Sequence, residues 1–334
     1  MTRLKDVAAR AGVSVRTVSN VVNGTAAVAE DTRRHVQGVL DEMGYRPNLA
    51  ARNLRGGRTG LIGLAIPELA SPYFGPLAGL LVEAAQRRSW TVIIDQTHGD
   101  ARAELRLLDP ARGRVVDGLI ISPWTLSATE LSTAARSIPA VLLGERHPQG
   151  LVDRVAVDNV GAADQATTHL LRSGRRRVAA LGLQSHLHNG TAEQRRAGYR
   201  RALAREGLPA DPLLEAEVRA LHRADGARAM ADLLDRGAAP DAVFAFSDEL
   251  ALGAMHTARL RGMRVPEQIA FVGFDDIEDG LYANPALSTV APDKEQIAER
   301  ALQCLADRIY SPGNTVPALD VIVPHQLLLR ASSD

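Results

Sequence analysis

Apolar residues near the N-terminus recur at helical spacing in two short, neighbouring segments. The first segment has its inward positions at i, i+3, i+4 and i+7 spacing, namely Leu4, Val7, Ala8 and Ala11. Gly12 is expected to end this helix, because glycine readily adopts the left-handed conformation of a helix C-cap. The second segment turns Val18, Val21 and Val22 inward. Ser14 can cap its start, so the pattern predicts two short helices joined by a tight turn.

The outward face of the second helix is polar apart from one valine. It comprises Val15, Arg16, Thr17, Ser19 and Asn20. This arrangement is typical of a helix-turn-helix motif, whose second helix enters the major groove of DNA. An ordinary helical hairpin has the same spacing, so the pattern alone leaves both interpretations open.

A third helix is predicted over 29–43, with Gly44 at its end. The basic segment 45–58 follows, with Pro47 near its start and a Gly56-Gly57 pair that breaks it. This segment is too short and too basic for a stable isolated helix, so it would order only when its arginines are neutralised. An apolar Leu54 among arginines suits a wedge inserted into the DNA minor groove. A flexible linker is the alternative, and both descriptions can hold in different states.

From Leu61 onward, apolar runs alternate with amphipathic stretches. The runs that predict strands are Leu61–Pro67, Thr91–Asp95, Val116–Ser122, Ala140–Gly144, Arg154–Val157, Val178–Leu183, Ala242–Phe246 and Ile269–Phe274. The stretches that predict helices are Gly75–Arg88, Asn159–Ser173, Glu193–Glu206, Ala224–Arg236, Glu249–Arg261 and Lys294–Ile309. This alternation predicts doubly wound parallel sheets, and the length favours two lobes. Ligands of such folds bind beyond the carboxyl ends of the strands.

The charge distribution separates the N-terminal segment from the rest of the chain. Residues 1–60 hold ten Lys and Arg against five Asp and Glu, whereas the whole chain holds 39 of each. A basic head on an acidic body favours a polyanionic partner for the head alone. A solvated charged surface is the simpler alternative.

Other classes of protein find little support in the sequence. No metal-ligand spacing, Gly-rich phosphate loop or nucleophile elbow is evident, so neither an enzyme nor a bound cofactor or metal is expected. Cys304, the one cysteine, lies between Leu302 and Leu305 and is expected to be a buried structural thiol. A single cysteine fits a reducing cytoplasm. Residues 1–30 lack the apolar run of a signal peptide, which disfavours an exported sugar-binding protein, and no stretch is long enough to span a membrane.

Several motifs together resemble the lactose-repressor/galactose-repressor family of transcription regulators over nearly the whole chain. VSVRTVSNVVNG at 13–24 resembles the family's recognition helix, and Arg46-Pro47-Asn48 with Ala50, Ala51 and Leu54 resembles its hinge helix. VDGLI at 116–120, RRAGY at 195–199, SDELALG at 247–253 and VGFDD at 272–276 resemble core motifs in the same order. Each motif is weak alone, but the order and spacing of the set are specific.

The resemblance implies an N-terminal all-α helix-turn-helix domain and a periplasmic-binding-protein-like α/β core of two doubly wound parallel-sheet lobes. The implied boundaries are 1–44 for the helix-turn-helix domain, 45–59 for the hinge and linker, and 60–334 for the core. One lobe would hold about 60–158 and 291–321, and the other about 159–290 and 322–334. No heptad pattern follows Leu329-Arg330, so a homodimer is expected.

The resemblance also implies which residues touch DNA. Val15, Arg16 and Asn20 would face base edges, where arginine suits guanine and asparagine suits adenine. The family commonly has arginine where this chain has Asn20, so its operator is expected to differ at the bases read there. The implied phosphate contacts are Ser14, Thr17, Ser19, Asn23 and Thr32. The implied hinge contacts are Asn48, Ala51 and Leu54, on a pseudopalindromic double-stranded operator.

For the core, the resemblance implies a small-molecule effector bound between the lobes. The implied contacts are Phe74, Glu145, Asp158, Arg195, Leu221, Ser247, Asp248 and Asp275. Asp248 has a competing role as the cap of the helix that begins at Glu249, and Trp124 is either a lining residue or a packed surface residue. Pro292 stands where the family often has glutamine, which argues for a different or less polar ligand there. A carbohydrate is the favoured effector, with a nucleobase or a phosphorylated sugar as alternatives. The implied function is ligand-controlled repression in the cytoplasm.

Overall fold

The structure is a computed structural model that describes residues 3–23, 28–45, 58–109, 115–134, 138–144, 152–187, 190–311 and 317–334. It divides into two compact units, Met1–Thr59 and Gly60–Asp334. The predicted hinge residues Asn48, Ala51 and Leu54 and the predicted effector contact Glu145 lie outside the described residues.

The N-terminal unit contains three helices around a small aliphatic core. They are α1 (Leu4–Ala11), α2 (Val15–Asn23) and α3 (Glu30–Glu42). The buried side chains are Val7, Ala8, Ala11, Val18, Val21, Val36, Val39 and Leu40, whereas Val22 and Leu4 only pack against their edge. Gly12 ends α1 with φ of +65° and donates its N–H to the carbonyl of Ala8. Ser14 Oγ accepts the N–H of Thr17 at 3.0 Å, which is the predicted cap.

The core unit contains the remaining elements, which alternate along the chain. The strands are β1 (Leu61–Ile66), β2 (Thr91–Gln96), β3 (Gly118–Ile121), β4 (Ala140–Leu143), β5 (Asp153–Val157), β6 (Val178–Leu183), β7 (Glu215–Glu217), β8 (Ala242–Ala245), β9 (Ala270–Phe274), β10 (Ser288–Pro292), β11 (Asp320–Val323) and β12 (His325–Leu328). The helices are α4 (Phe74–Arg87), α5 (Ala101–Leu107), α6 (Ala128–Ala134), α7 (Asn159–Arg172), α8 (Gly190–Arg205), α9 (Arg223–Asp235), α10 (Asp248–Leu260), α11 (Glu278–Leu281) and α12 (Lys294–Tyr310).

The strands form two six-stranded sheets, which confirms the predicted fold class. The first sheet has the order β11-β5-β4-β3-β1-β2, and the second has the order β12-β10-β9-β8-β6-β7. Pairing is parallel except between β10 and β12. The chain passes from the first sheet to the second after Val157, returns after Pro292, and crosses again between Val323 and His325. Because the sheets share these passages, the carboxyl ends of their strands can face one cleft.

Four strands were not predicted from the hydrophobic pattern: β7, β10, β11 and β12. β7 is three residues long, and β11 lies at a sheet edge with two of its four residues exposed. β10 is buried but begins with Ser288 and Thr289, whose hydroxyls are hydrogen bonded inside the core. A buried strand that carries satisfied hydroxyls has no continuous apolar run, so periodicity does not detect it.

Cys304 is buried in α12 and burial raises the pKa of its thiol to about 11, as suits a structural residue. Among the helices in the described parts of the chain, none is long and apolar enough to cross a membrane.

Candidate functional site

The N-terminal unit presents the first turn of α2 to solvent. Val15 is 47% exposed, although valine is usually buried, and Arg16 beside it is exposed as well. Thr17, Ser19 and Asn20 are half-buried further along α2, and Thr32 is half-buried in α3. Asn23 ends α2, and its side chain lies outside the described residues. An exposed apolar residue next to an exposed arginine is the composition that base edges in a major groove can contact.

The hydroxyl of Ser14 is engaged within the turn. It bonds both the N–H of Thr17 and the Thr17 hydroxyl, at 3.0 and 2.9 Å. A serine hydroxyl retains a free lone pair or proton after such contacts, so a phosphate contact by Ser14 or Thr17 stays a prediction.

The core unit holds a cavity of about 720 Å³ at the carboxyl ends of strands from both sheets. Lining residues lie at or after the ends of β1 to β5 of the first sheet and of β6 to β10 of the second. Five of the predicted effector contacts line it: Phe74, Arg195, Leu221, Ser247 and Asp275. Trp124 and Pro292 line it as well, which places Trp124 in the wall rather than on a packed outer surface.

Arg195 is a cation of this cavity that several contacts hold in place. It lies on α8, and only 9% of its surface is exposed. Its Nε donates to Asn159 Oδ1 at 2.9 Å, and its Nη1 donates to the carbonyl of Phe246. The guanidinium carbon stacks 3.4 Å from the ring centre of Phe274. These contacts hold the planar fork in one orientation, which lowers the entropy cost of binding a ligand.

Asp275 faces Arg195 across the end of β9. The closest approach, from Arg195 Nη2 to Asp275 Oδ1, is 4.0 Å, and the Asp275 side chain is 13% exposed. Its backbone has φ of +113°, a conformation that is strained for a residue with a side chain. Burial raises the pKa of Asp275 to about 6, although the charges of Arg195 and Lys294 oppose the shift. A strained, buried and only loosely paired carboxylate at a cavity wall is poised to accept hydrogen bonds from a ligand.

Aromatic side chains also line the cavity. Phe74 begins α4 and meets Tyr73 edge to face, with ring centres 5.1 Å apart. Trp124 lies in the segment after β3. Aromatic faces next to directed polar groups are a usual composition for a small-molecule site.

Two predicted effector contacts do not line the cavity. Asp158 is exposed, and its Oδ1 accepts the N–H of Gly161 at 2.8 Å as the N-cap of α7. Its neighbour Asn159 lines the cavity instead and orients Arg195. The sequence predicts a helix start at Asn159, but it does not show which of the two adjacent residues caps the helix and which one faces the cavity.

Asp248 is also removed from the cavity wall, because it is fully buried behind it. Its oxygens accept the Thr289 hydroxyl at 2.6 Å and the N–H of Ile277 at 2.9 Å. Burial and the nearby charge of Asp275 raise the pKa of Asp248 well above its usual range. The helix cap is Ser247, whose Oγ accepts the N–H of Leu250 at 3.2 Å. The capping role considered for Asp248 therefore belongs to the residue before it.

One polar contact at the cavity, missed in the sequence, joins the two sides of the cleft. Glu68 follows β1 and His222 precedes α9, and their Oε2 and Nε2 atoms are 3.5 Å apart. Neither residue belongs to a motif, so only the fold brings them together.

A helix-turn-helix unit followed by a two-sheet core with a ligand-sized cavity defines a ligand-responsive DNA-binding regulator. Residues 3–48 match the family described as bacterial regulatory proteins, lacI family, and residues 167–333 match the periplasmic binding protein-like domain. The HTH-type transcriptional regulator DegA of Bacillus subtilis (strain 168) is 34% identical over 340 residues, covering 99% of this chain and 98% of that protein. The chain therefore belongs to the lacI family and is a transcriptional regulator.

Solved structures agree with this assignment. A transcriptional regulator CelR–cellobiose complex has a TM-score of 0.75 at 30% identity, covering 99% of this chain and all of that one. The lac repressor dimer bound to operator and the anti-inducer ONPF has a TM-score of 0.88 at 26% identity, covering 99% of both chains.

Proposed function

We propose that this regulator is a homodimeric repressor that a sugar releases from its operator. The observation that carries the ligand class is the pair formed by Arg195 and Asp275 at the cavity wall, held 4.0 Å apart. The relative CelR was solved as a complex with cellobiose, which supports a carbohydrate as the ligand of a core of this shape.

The chemistry of the wall suits a polyol. The Arg195 fork donates to hydroxyl oxygens, and the Asp275 carboxylate accepts from hydroxyl protons. A sugar offers both kinds of atom on adjacent carbons, and its ring also has an apolar face that packs against Phe74 or Trp124. Pro292 adds an apolar contact without a side-chain donor.

On DNA, Arg16 and Asn20 are proposed to read guanine and adenine in each half-site. Val15 is proposed to contact a neighbouring base edge, with Ser14, Thr17, Ser19, Asn23 and Thr32 on phosphates. Asn48, Ala51 and Leu54 are proposed hinge contacts at the centre of the operator. This reading requires a dimer, because two half-sites about one helical turn apart need two heads. A regulator that acts on the bacterial chromosome works in the cytoplasm, and no chemical change of the ligand is needed.

The first prediction tests the ligand site through the DNA response. Operators are selected from a random DNA pool, and release is then measured with a panel of sugars, phosphorylated sugars and nucleobases. Asp275→Asn is expected to keep operator affinity and to lose the response to the active compound, because the amide cannot accept hydrogen bonds on both of its terminal atoms.

The control is Asp235→Asn, which alters an exposed aspartate paired with Arg261 in the same unit and leaves the cavity intact. A full response in the Asp275→Asn protein would show that the ligand binds elsewhere. A response to a nucleobase in place of a sugar would reject the carbohydrate assignment, and no enriched operator would reject specific DNA reading by the free protein.

A further inference from the structure

Glu104 is a fully buried carboxylate that accepts hydrogen bonds from a backbone turn in the cavity wall. It lies in α5, and none of its surface is exposed. Its Oε1 accepts the N–H of Trp124 at 2.8 Å. Its Oε2 accepts the N–H groups of Thr125 and Leu126 at 3.1 and 3.2 Å, and the Thr125 hydroxyl at 2.7 Å.

Four donors on one buried carboxylate make a specific anchor. Burying an acidic group is costly unless hydrogen bonds satisfy it, and here both oxygens are used. The backbone N–H groups of the turn depend on it in return, because an apolar residue at 104 would leave them buried and unpaired. The helix therefore fixes the path of the chain from Trp124 to Leu126 by side-chain contact rather than by sheet pairing.

The Trp124 ring is held from a second side by the segment that leads into α5. At Gly99, φ is +64° and an added Cβ would lie 2.8 Å from Trp124 Cε3, so the indole rests against a position that only glycine leaves open. The Gly99 N–H donates to Thr97 Oγ1 at 3.3 Å, and Thr97 is itself buried. Residues 97–104 thus contact the Trp124 ring through Gly99 and bind the backbone of residues 124–126 through Glu104.

We propose that Glu104 is a positioning residue for ligand binding, which sets the Trp124 ring in the cavity wall at a fixed depth. Trp124 and Gly99 both line the cavity, whereas Glu104 itself touches no space that a ligand can enter. An indole face fixed in this way stacks on the apolar face of a pyranose ring and limits the thickness of the ligand. The consequence for ligand affinity rests on the proposed function, but the position of the ring does not.

The chain has two tryptophans, and the test uses the full chain with Trp90→Phe, so that Trp124 is the one that remains. Trp90 is buried and stacks on Tyr310, so phenylalanine keeps an aromatic contact there. Glu104→Gln is nearly isosteric, but its amide nitrogen is a donor and cannot accept from the N–H groups that one Glu104 oxygen now binds. We expect Trp124 emission to shift to the red, acrylamide quenching to rise, and cellobiose, as the sugar probe, to bind about tenfold more weakly.

The matched control is Glu215→Gln, another buried glutamate, which pairs with Arg196 and Arg200 away from the cavity. It is expected to lower the melting temperature without changing Trp124 emission. Unchanged emission and quenching in Glu104→Gln, with a melting temperature as low as that of Glu215→Gln, would overturn the proposal and leave Glu104 a purely stabilising residue.

Gly99→Ala gives an independent reading if Glu104→Gln does not fold. An added methyl group pushes the ring from the other side, and it is expected to change Trp124 emission and quenching as well. Unchanged emission in this variant would contradict the seat at Gly99. If cellobiose does not bind the parent protein, the proposed ligand class fails, whereas the fluorescence measurements still decide the position of the ring.

Discussion

At the residue scale, the cavity keeps ionisable groups where apolar ones would be more stable. Asp275 is nearly buried, has a left-handed backbone, and lies 4.0 Å from its closest cationic partner. Asp248 lies behind it with both oxygens hydrogen bonded to the residues that follow β9 and to β10. Strained residues and perturbed pKa values cluster at functional sites, so this costly arrangement indicates a role for the carboxylates in binding a ligand.

The second prediction follows from the pKa of Asp275, which burial raises to about 6. A carboxyl whose pKa is higher in the folded than in the unfolded chain makes folding progressively less favourable as pH rises from the unfolded to the folded pKa, and the cost is complete above the folded pKa. Asp275→Asn is therefore expected to increase the free energy of unfolding by about 3 kcal/mol at pH 8. The gain should be roughly half as large at pH 5, because at that pH the unfolded chain ionises this carboxyl and the folded chain largely does not.

Urea denaturation of the ligand-free protein at both pH values measures this effect. Asp235→Asn is again the control, since its partner Arg261 lowers the pKa of Asp235 and the variant should show no gain at pH 8. A loss of stability in Asp275→Asn at pH 8 would mean that its ion pair outweighs the cost of its burial.

At the element scale, the turn between α1 and α2 sets how the N-terminal unit presents α2, the proposed recognition helix. Gly12 ends α1 in a left-handed conformation, and Ser14 starts the next helix two residues later. The aliphatic core of the unit is small, so local features such as this turn contribute a large share of its stability. The sequence identified both turn residues, because left-handed caps and hydroxyl caps are local features.

The third prediction concerns Gly12→Ala. An added Cβ would contact nothing within 4 Å, so its cost comes from the left-handed backbone alone and is about 1 kcal/mol. Hydrogen exchange in the full chain should speed up in α1 and α2, and operator affinity should fall.

The control for that variant is Gly38→Ala, also in open space but within the regular helix α3. It should slow exchange in the same unit by favouring the helix. If both variants change exchange in the same direction, the left-handed turn is not what limits the stability of the head.

At the scale of the whole molecule, regulation is a coupling between two sites on one chain. The cavity lies where strands from two sheets end, and the sheets are joined by three passages of chain. The pair of Glu68 and His222 adds a direct contact across the cleft. A ligand that binds one arrangement of the two sheets more tightly than another shifts the balance between them, and we expect operator affinity to follow that balance.

The fourth prediction is reciprocity. If the active sugar weakens operator binding by a given factor, the operator must weaken sugar binding by the same factor. Titration of the sugar with and without saturating operator, and of the operator with and without saturating sugar, measures both factors. Unequal factors would show that one titration reports a third state, and a sugar that binds without any effect on the operator would remove the proposed coupling.

The sequence by itself determined the features whose causes are local or periodic. Helical spacing placed the three helices of the head, alternation of apolar runs placed most of the two sheets, and glycine and serine marked the turn at Gly12 and Ser14. Order and spacing of the motifs led to the family, and the resemblance to that family pointed to Arg195 and Asp275, both of which line the cavity.

The tertiary structure alone decided which side chains meet. Asp158 and Asn159 are adjacent at one helix start, yet one caps the helix and the other orients Arg195. Glu104 and Trp124 lie 20 residues apart, and only the packing of α5 beside the end of β3 makes one the anchor of the other. Local sequence sets the backbone conformation at each position, whereas the direction of a buried hydrogen bond depends on elements that are distant in the chain.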